Sequence, residues 1–201
     1  MWNDRFATSK YVFGTDPARF LVEHADYLIK GQSGLAVADG EGRNSVFMAE
    51  NGVVTTAMDG SENAVAKANA LALDRGVALN TNVADILTWD WAENSFDLVV
   101  GIFIQFVGPT QRAEIFAGMK RTLKPGGILL LHGYTPEQLA LGTGGPPFKE
   151  NMYTDQILTE AFADFDILDL KSYQREVQEG SAHSGMSALI DLVARKREQK
   201  G

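Results

Sequence analysis

Leu35-Ala36-Val37-Ala38-Asp39-Gly40-Glu41-Gly42-Arg43-Asn44-Ser45 is a short apolar run that breaks at two glycines and resumes with residues able to start a helix. The run reads as a first strand over 35–38. A glycine turn behind it lets a ligand approach bare backbone, and a helix N-terminus presents unpaired amides to an anionic group. The helix is expected over 42–51, stopped by Gly52, a residue suited to the left-handed C-terminal position. A second strand follows over 53–58. It closes at Asp59, 17 residues after Gly42, where a carboxylate can accept hydrogen bonds from ribose hydroxyls. Strand, turn, helix and strand together point to a ribose-bearing ligand at the carboxyl edge of a sheet, held by Gly40, Gly42 and Asp59.

Outward from this unit, short apolar runs keep alternating with helical periodicities, the pattern of a parallel sheet covered on both faces. Ser61 can cap a helix whose Ala64, Val65, Ala68, Leu71 and Ala72 share one face before Gly76. A third strand lies within 77–83, and the near-continuous apolar run 96–103 reads as a central strand. Ile115, Phe116, Met119 and Leu123 share a helical face, with Lys120, Arg121 and Lys124 near the negative end of its dipole. Pro125-Gly126-Gly127 makes a turn into a fifth strand over 128–132. The stretch 141–147 reads as a loop, 154–162 as a helix, and 165–173 with 186–195 as a terminal hairpin joined by a polar stretch. Near the start, Phe20, Leu21, His24 and Leu28 form the stripe of a helix beginning near Pro17. The tail from Arg195 reads as disordered. The fold class expected is α/β, a doubly wound, mostly parallel seven-stranded sheet with an antiparallel C-terminal hairpin.

A length of 201 residues fits one domain. The expected divisions are 1–16, a ligand-binding half over 17–133, a second half over 134–197 and a tail over 198–201. Trp2, Phe6, Tyr11 and Phe13 make 1–16 too aromatic for a solvated tail, and the segment is expected to act as a lid. With 18 basic and 26 acidic residues the net charge is −8, a field that repels phosphate backbones and disfavours nucleic acid as a partner. The chain has no cysteine, which excludes disulfides, thiolate nucleophiles and Cys-based metal sites. No metal-ligand spacing links the three histidines. The start, Met1-Trp2-Asn3-Asp4-Arg5, shows no secretory pattern, and no apolar stretch approaches the roughly 18 residues of a membrane span. The expectation is a cytoplasmic protein without a membrane partner.

Asp85 and Ile86 follow the third strand and offer a polar acceptor beside an apolar plate, as an adenine ring requires. With these in place the sequence resembles the class I S-adenosylmethionine-dependent methyltransferases, specifically the tellurite-resistance and thiopurine methyltransferase-like group. The resemblance rests on 39–45, Asp59, Asp85-Ile86 and Leu123-Lys124-Pro125-Gly126-Gly127. It implies the cofactor S-adenosylmethionine and a small-molecule acceptor, with Trp2, Phe6 and Phe13 as an aromatic lid. The family's acidic residue in the first strand falls at Ala36 and its first glycine at Ala38. Asp39 then stands as the carboxylate nearest the cofactor's amino group. The Asn-Pro-Pro-Tyr type motif of amino-group methyltransferases is absent after the fourth strand.

Methyl transfer from a sulfonium is an in-line displacement, so the protein chiefly positions and desolvates. An acceptor with an acidic proton also needs a base, and the candidates are His132, Tyr134 and His183. His183 and Tyr134 are expected to face the transferable methyl, while His132 reads equally as a sheet-end histidine and His24 as packing. Two rival readings are an NAD(P)-dependent oxidoreductase and a non-catalytic S-adenosylmethionine-binding module. The first lacks the third glycine of its fingerprint, since Ser45 stands there, and has no Tyr-x-x-x-Lys pair.

Overall fold

The computed structural model describes residues 2–180 and 183–198, with the side chain of residue 183 outside the description. In chain order the elements are α1 (Trp2–Arg5), α2 (Arg19–Glu23), β1 (Ser33–Val37), α3 (Arg43–Glu50), β2 (Val54–Asp59), α4 (Glu62–Asp74), β3 (Asn80–Val83), β4 (Phe96–Ile102), α5 (Pro109–Thr122), β5 (Leu123–Tyr134), α6 (Gln138–Leu141), α7 (Asp155–Ala161), β6 (Phe165–Glu179) and β7 (His183–Lys196). The strands form one sheet in the order β3-β2-β1-β4-β5-β7-β6. β7 alone runs against its neighbours, so the expected doubly wound sheet with an antiparallel C-terminal hairpin is what the chain forms.

The central strands alternate their side chains between two cores, as a period of two requires. Leu98, Val100, Leu130 and Val193 face Phe20 and Leu21 of α2 and Met48 of α3. Val99, Leu129, Leu131 and Leu192 face Ile115, Phe116 and Met119 of α5, Leu158 of α7 and Phe162 just after it. Each fully buried aliphatic or aromatic side chain contributes about 1.5–3 kcal/mol, so β4 and β5, apolar on both faces, anchor the molecule. Ser61 caps α4 by accepting from the Ala64 amide at 3.1 Å, and Thr154 does the same for α7.

Four expectations need correction. β5 begins at Leu123, five residues early, because Leu123 still pairs with Phe96 before a register shift carries the pairing to Leu98 and Ile128. Pro125-Gly126-Gly127 is therefore a kink inside the strand, with Gly126 at φ +79°. The helix near Pro17 lasts only from Arg19 to Glu23, then tightens to a 3₁₀ turn over Ala25–Tyr27. The polar stretch after 173 is paired strand, since Gln174 through Glu179 match Ala188 down to His183. Arg195 and Lys196 belong to β7, and Lys196 Nζ donates to the Leu123 carbonyl at 2.6 Å. Hydrophobic periodicity misses these last two segments because their order comes from ladder hydrogen bonds and side-chain caps rather than from a buried face.

α3 can lie on α4 only because Gly42 precedes it. Gly42 adopts φ +93°, and a Cβ there would sit 2.6 Å from the Ala68 Cα. Gly42→Ala combines a left-handed penalty with overpacking and should destabilise by roughly 2–4 kcal/mol. In a chain of this size a thermal melt should fall by roughly 5–15 °C.

Candidate active site

β1 and β4 are neighbours whose connections leave in opposite directions, which opens a crevice beyond their carboxyl ends. Two non-glycine residues mark that crevice. Ala38 follows β1 at φ +46° and Phe103 follows β4 at φ +57°. Left-handed backbone costs an L-residue about 1–2 kcal/mol, so surrounding contacts must hold each in place. Ala38 N–H points to Met58 Sδ at 3.2 Å, and Phe103 N–H donates to the His132 carbonyl at 2.9 Å.

The glycine turn is locked by two carboxylates. Asp59 accepts from the Gly40 amide through one oxygen and from the Ser61 amide through the other, both at 2.9 Å. It thus ties the exit of β1 to the start of α4. Burial raises its pKa, and the two amides oppose the rise. Asp39 accepts from the Ser45 hydroxyl and from the Ser45 amide. Its enclosure is the stronger influence and lifts it to about 6, with Asp59 adding repulsion and Ser45 and Arg43 opposing. Asp85 is exposed and accepts from the Leu87 amide at 2.9 Å, while Ile86 is buried in the core beside β4.

The N-terminal segment folds across this turn. Phe6 lies over Gly40, its Cζ 3.8 Å from where a Cβ would be. Trp2 stacks on Phe6 with centroids 5.8 Å apart, and Phe6 meets Phe13 edge-on at 6.2 Å. Asn3 accepts from the Ser61 hydroxyl and the Asn63 amide. The anchor is Glu41, only 3% exposed, which accepts from the Val12 amide at 2.7 Å and from Lys67 Nζ at 2.6 Å. On the far side Gly180 packs so closely that a Cβ on it would lie 2.5 Å from the Val12 oxygen.

On the acceptor half, Tyr134 is 1% exposed and packs among Phe103, Val177 and Leu189. Burial, reinforced by Glu179, pushes its hydroxyl well above the ordinary tyrosine range, which makes it a poor base at neutral pH. Gln105 grips its backbone from both sides, accepting from the Tyr134 amide at 2.6 Å and donating to its carbonyl at 2.8 Å. The backbone of His183 opens β7 opposite Glu179, and its side chain lies outside the described residues. The structure therefore brings together Gly40, Gly42, Asp39, Asp59 and the aromatic segment, and the bond from the Ala84 amide to the Asp59 carbonyl carries the chain on to Asp85 and Ile86 just past β3.

Several participants escape sequence reasoning. Glu41 and Lys67 look like ordinary surface charges, as does the pair of Arg43 and Glu179, whose Nη2 and Oε2 lie 2.7 Å apart. Burial pushes Glu179 up, but Arg43 outweighs it and holds the carboxyl below its usual value. One signal was available: Asp191 is the single charged residue in the run 186–194, and a lone carboxylate inside an apolar strand needs a partner. Among the described residues no cluster of His, Asp or Glu could hold a metal, and no helix is long and apolar enough to cross a membrane.

Residues 35–127, which hold the glycine turn, Asp59 and the first four strands from Leu35 onward, match the family model of a methyltransferase domain. Among curated proteins, phosphoethanolamine N-methyltransferase 1 of Triticum aestivum is 28% identical over 189 residues, 92% of this chain and 33% of the relative. The chain thus spans about a third of that relative's length. TehB from Haemophilus influenzae superposes with a TM-score of 0.73 at 19% identity, over 98% of this chain and 66% of that one. The [4+2]-cyclase SpnF has the same fold, with a TM-score of 0.69 at 20% identity over 90% of this chain and 80% of its own. The fold therefore does not by itself define the reaction.

Asp39 gives the site a stability signature. A carboxyl raised to about 6 in the fold from 3.8 contributes stability that is complete below the unfolded value and is lost as pH rises through 6. The loss amounts to about 3 kcal/mol. Asp39→Asn should flatten denaturant-measured stability between about pH 4 and 6; an unchanged slope would mean that the carboxyl is not enclosed.

Proposed function

We propose that the chain transfers a methyl group from S-adenosylmethionine to a small-molecule acceptor. The observation that carries this reading is Asp39, a carboxylate enclosed in the turn and raised to about 6. An enclosed anion is unfavourable alone and favourable beside a cation, and S-adenosylmethionine carries both a sulfonium and an ammonium. A dinucleotide brings phosphates to the same turn, where Asp39 and Asp59 would repel them.

The residues fit this cofactor. Gly40 leaves backbone bare on the ligand side, Gly42 seats the helix behind it, and Asp59 has acceptor capacity beyond its two amide bonds for hydroxyl donors. Asp85 serves as acceptor for an exocyclic amine, with Ile86 as the apolar wall beneath. Trp2 and Phe13, with Phe6 between them, form the cover, and Glu41 holds its base at residues 12 and 13. Tyr134 and His183 stand on the acceptor side, Tyr134 through its packing against Phe103. Bound there, the cofactor supplies a methyl group already activated for displacement, and the chain's own tasks are to orient it and exclude water. A net charge of −8 supports a small-molecule acceptor over nucleic acid and suits a cytoplasmic setting.

Calorimetry tests the reading. The protein should bind S-adenosylmethionine and not NAD. Near pH 6 binding should release about half a proton as Asp39 ionises, detected in buffers of different ionisation heat, and Asp39→Asn should abolish the release. Asp59→Ala should weaken binding on the order of ten- to a hundredfold. Binding of NAD in place of the sulfonium would overturn the assignment.

A further inference from the structure

A second concavity lies over the acceptor half of the sheet. It measures about 280 Å³ and is bounded by Phe13, Phe20, His132, Tyr173, Glu179 and Leu189. It adjoins the glycine turn through the contact of Phe13 with Phe6, the ring that covers Gly40.

The polar floor of this cavity is a relay across two strands. His132 and Asp191 are paired residues of β5 and β7, and His132 Nδ1 lies 2.6 Å from Asp191 Oδ1. Asp191 has no exposed surface. The same oxygen accepts from the Tyr173 hydroxyl at 3.1 Å, and its other oxygen lies 3.5 Å from Lys171 Nζ. An ionised carboxylate only accepts, so a neutral His132 carries its proton on Nδ1 and has a lone pair on Nε2. Phe20 stacks on the imidazole face at 4.9 Å and 10°, and Phe103 meets it edge-on at 4.8 Å. The ring is fixed in orientation and tautomer, more than packing alone requires.

We propose that this cavity is the acceptor subsite and that His132 Nε2 is the general base for a small aromatic hydroxyl compound. The inference rests on the methyl-transfer reading above and adds the acceptor's chemistry to it. A base is needed only where the nucleophilic atom keeps its proton at neutral pH, as a phenol does. Phe13, Phe20 and Tyr173 give the walls aromatic character, and the volume admits a single substituted ring. Glu179 is paired with Arg43, Arg175 and Arg19 with Glu23, and Lys171 with Asp191, while the remaining charged lining residues, Asp16 and Glu176, are exposed carboxylates. An uncharged ring suits the paired interior, and the two exposed carboxylates disfavour an anionic acceptor.

In the step itself, the acceptor oxygen forms the new O–CH₃ bond while its proton passes to His132 Nε2. The methyl–sulfur bond breaks with its electron pair going to sulfur, which discharges the sulfonium. Asp191 and Tyr173 are positioning residues: Asp191 holds the imidazole through Nδ1, and Tyr173 holds Asp191.

4-Nitrophenol is the probe, because its absorbance distinguishes phenol from phenolate without any turnover. Added to the cofactor-free full chain below its own acidity midpoint, it should bind and show the phenolate band, and His132→Asn should bind it in the neutral form. A neutral band in the native protein, a phenolate band in the variant, or no binding at millimolar concentration would overturn the proposal. With labelled S-adenosylmethionine, His132→Asn should slow methylation of phenol by about a hundredfold or more while slowing ionised 4-nitrophenol only a few-fold. Equal losses on both would make His132 a packing residue, and methylation of thiophenol but of no phenol would overturn the acceptor class. Asp191→Asn, which keeps an oxygen facing Nδ1, should show the same selective loss and serves if the first variant does not fold. Failure to bind S-adenosylmethionine would instead overturn the methyl-transfer reading, which the nitrophenol spectrum does not depend on.

Discussion

The chain has to turn out of β1 and into α3 within five residues, 38–42, and the bond that makes this possible is the one from the Gly40 amide to Asp59. That carboxylate stands at the end of the neighbouring strand, so the turn is clamped across the sheet and not merely along it. The Ser61 amide on its other oxygen brings the start of α4 to the same point. Once α4 is placed, Lys67 is placed, and with it Glu41 and the backbone of residues 12 and 13. The path of the N-terminal segment is thus a consequence of a single acidic residue closing the second strand. Strained backbone at Ala38 and Phe103 is sustained by this clamp on one side and by the bonded end of β5 on the other.

Much of this framework was legible in the sequence because it rests on burial. The runs at 35–38 and 96–103 are apolar since they face a core on each side, and Ser61 announced the cap it makes. The glycine turn and Asp59 were legible for a different reason, since few other residue types permit that backbone or end a strand in that way. Where order comes from hydrogen bonding instead, the sequence was silent. The polar residues 174–179 pair as strand without a hydrophobic face, and Lys196 is ordered by the carbonyl it caps. At the site, Asp59 was assigned to a ligand, and the structure adds two backbone amides that it already serves. His132 could not be separated from an ordinary sheet-end histidine until Asp191, 59 residues away, was seen at its Nδ1.

Electrostatics divides the crevice into unlike halves. Around the glycine turn, Asp59 lies close enough to Asp39 to disfavour its charge further, and the anion there has Ser45 as its main local support. Across β5 and β7 the opposite holds. Burial pushes Asp191 up, but the His132 bond and Lys171 outweigh it and keep the carboxyl below its usual value. One half therefore gains from an incoming cation, and the other is internally balanced around a neutral volume. A cationic donor and an uncharged nucleophile would each be favoured on a different side of Phe13.

The β6–β7 hairpin outruns the sheet that carries it. β5 pairs with β7 only from Leu189 to Arg195, whereas β6 and β7 stay paired out to Glu179 and His183. The outer part of the ribbon is thus attached to the body through Arg43, the Val12–Phe13 backbone, the loop around Thr143 and the packing of Val177 against Tyr134, and not through a ladder with the central strands. Variation can accumulate there without disturbing the clamp at Asp59, because the two share no ladder. Exchanging residues 174–178 between relatives would reshape one wall of the cavity while leaving Glu179, Gly180 and the clamp at Asp59 in place, so this projecting ribbon is the part of the molecule freest to vary.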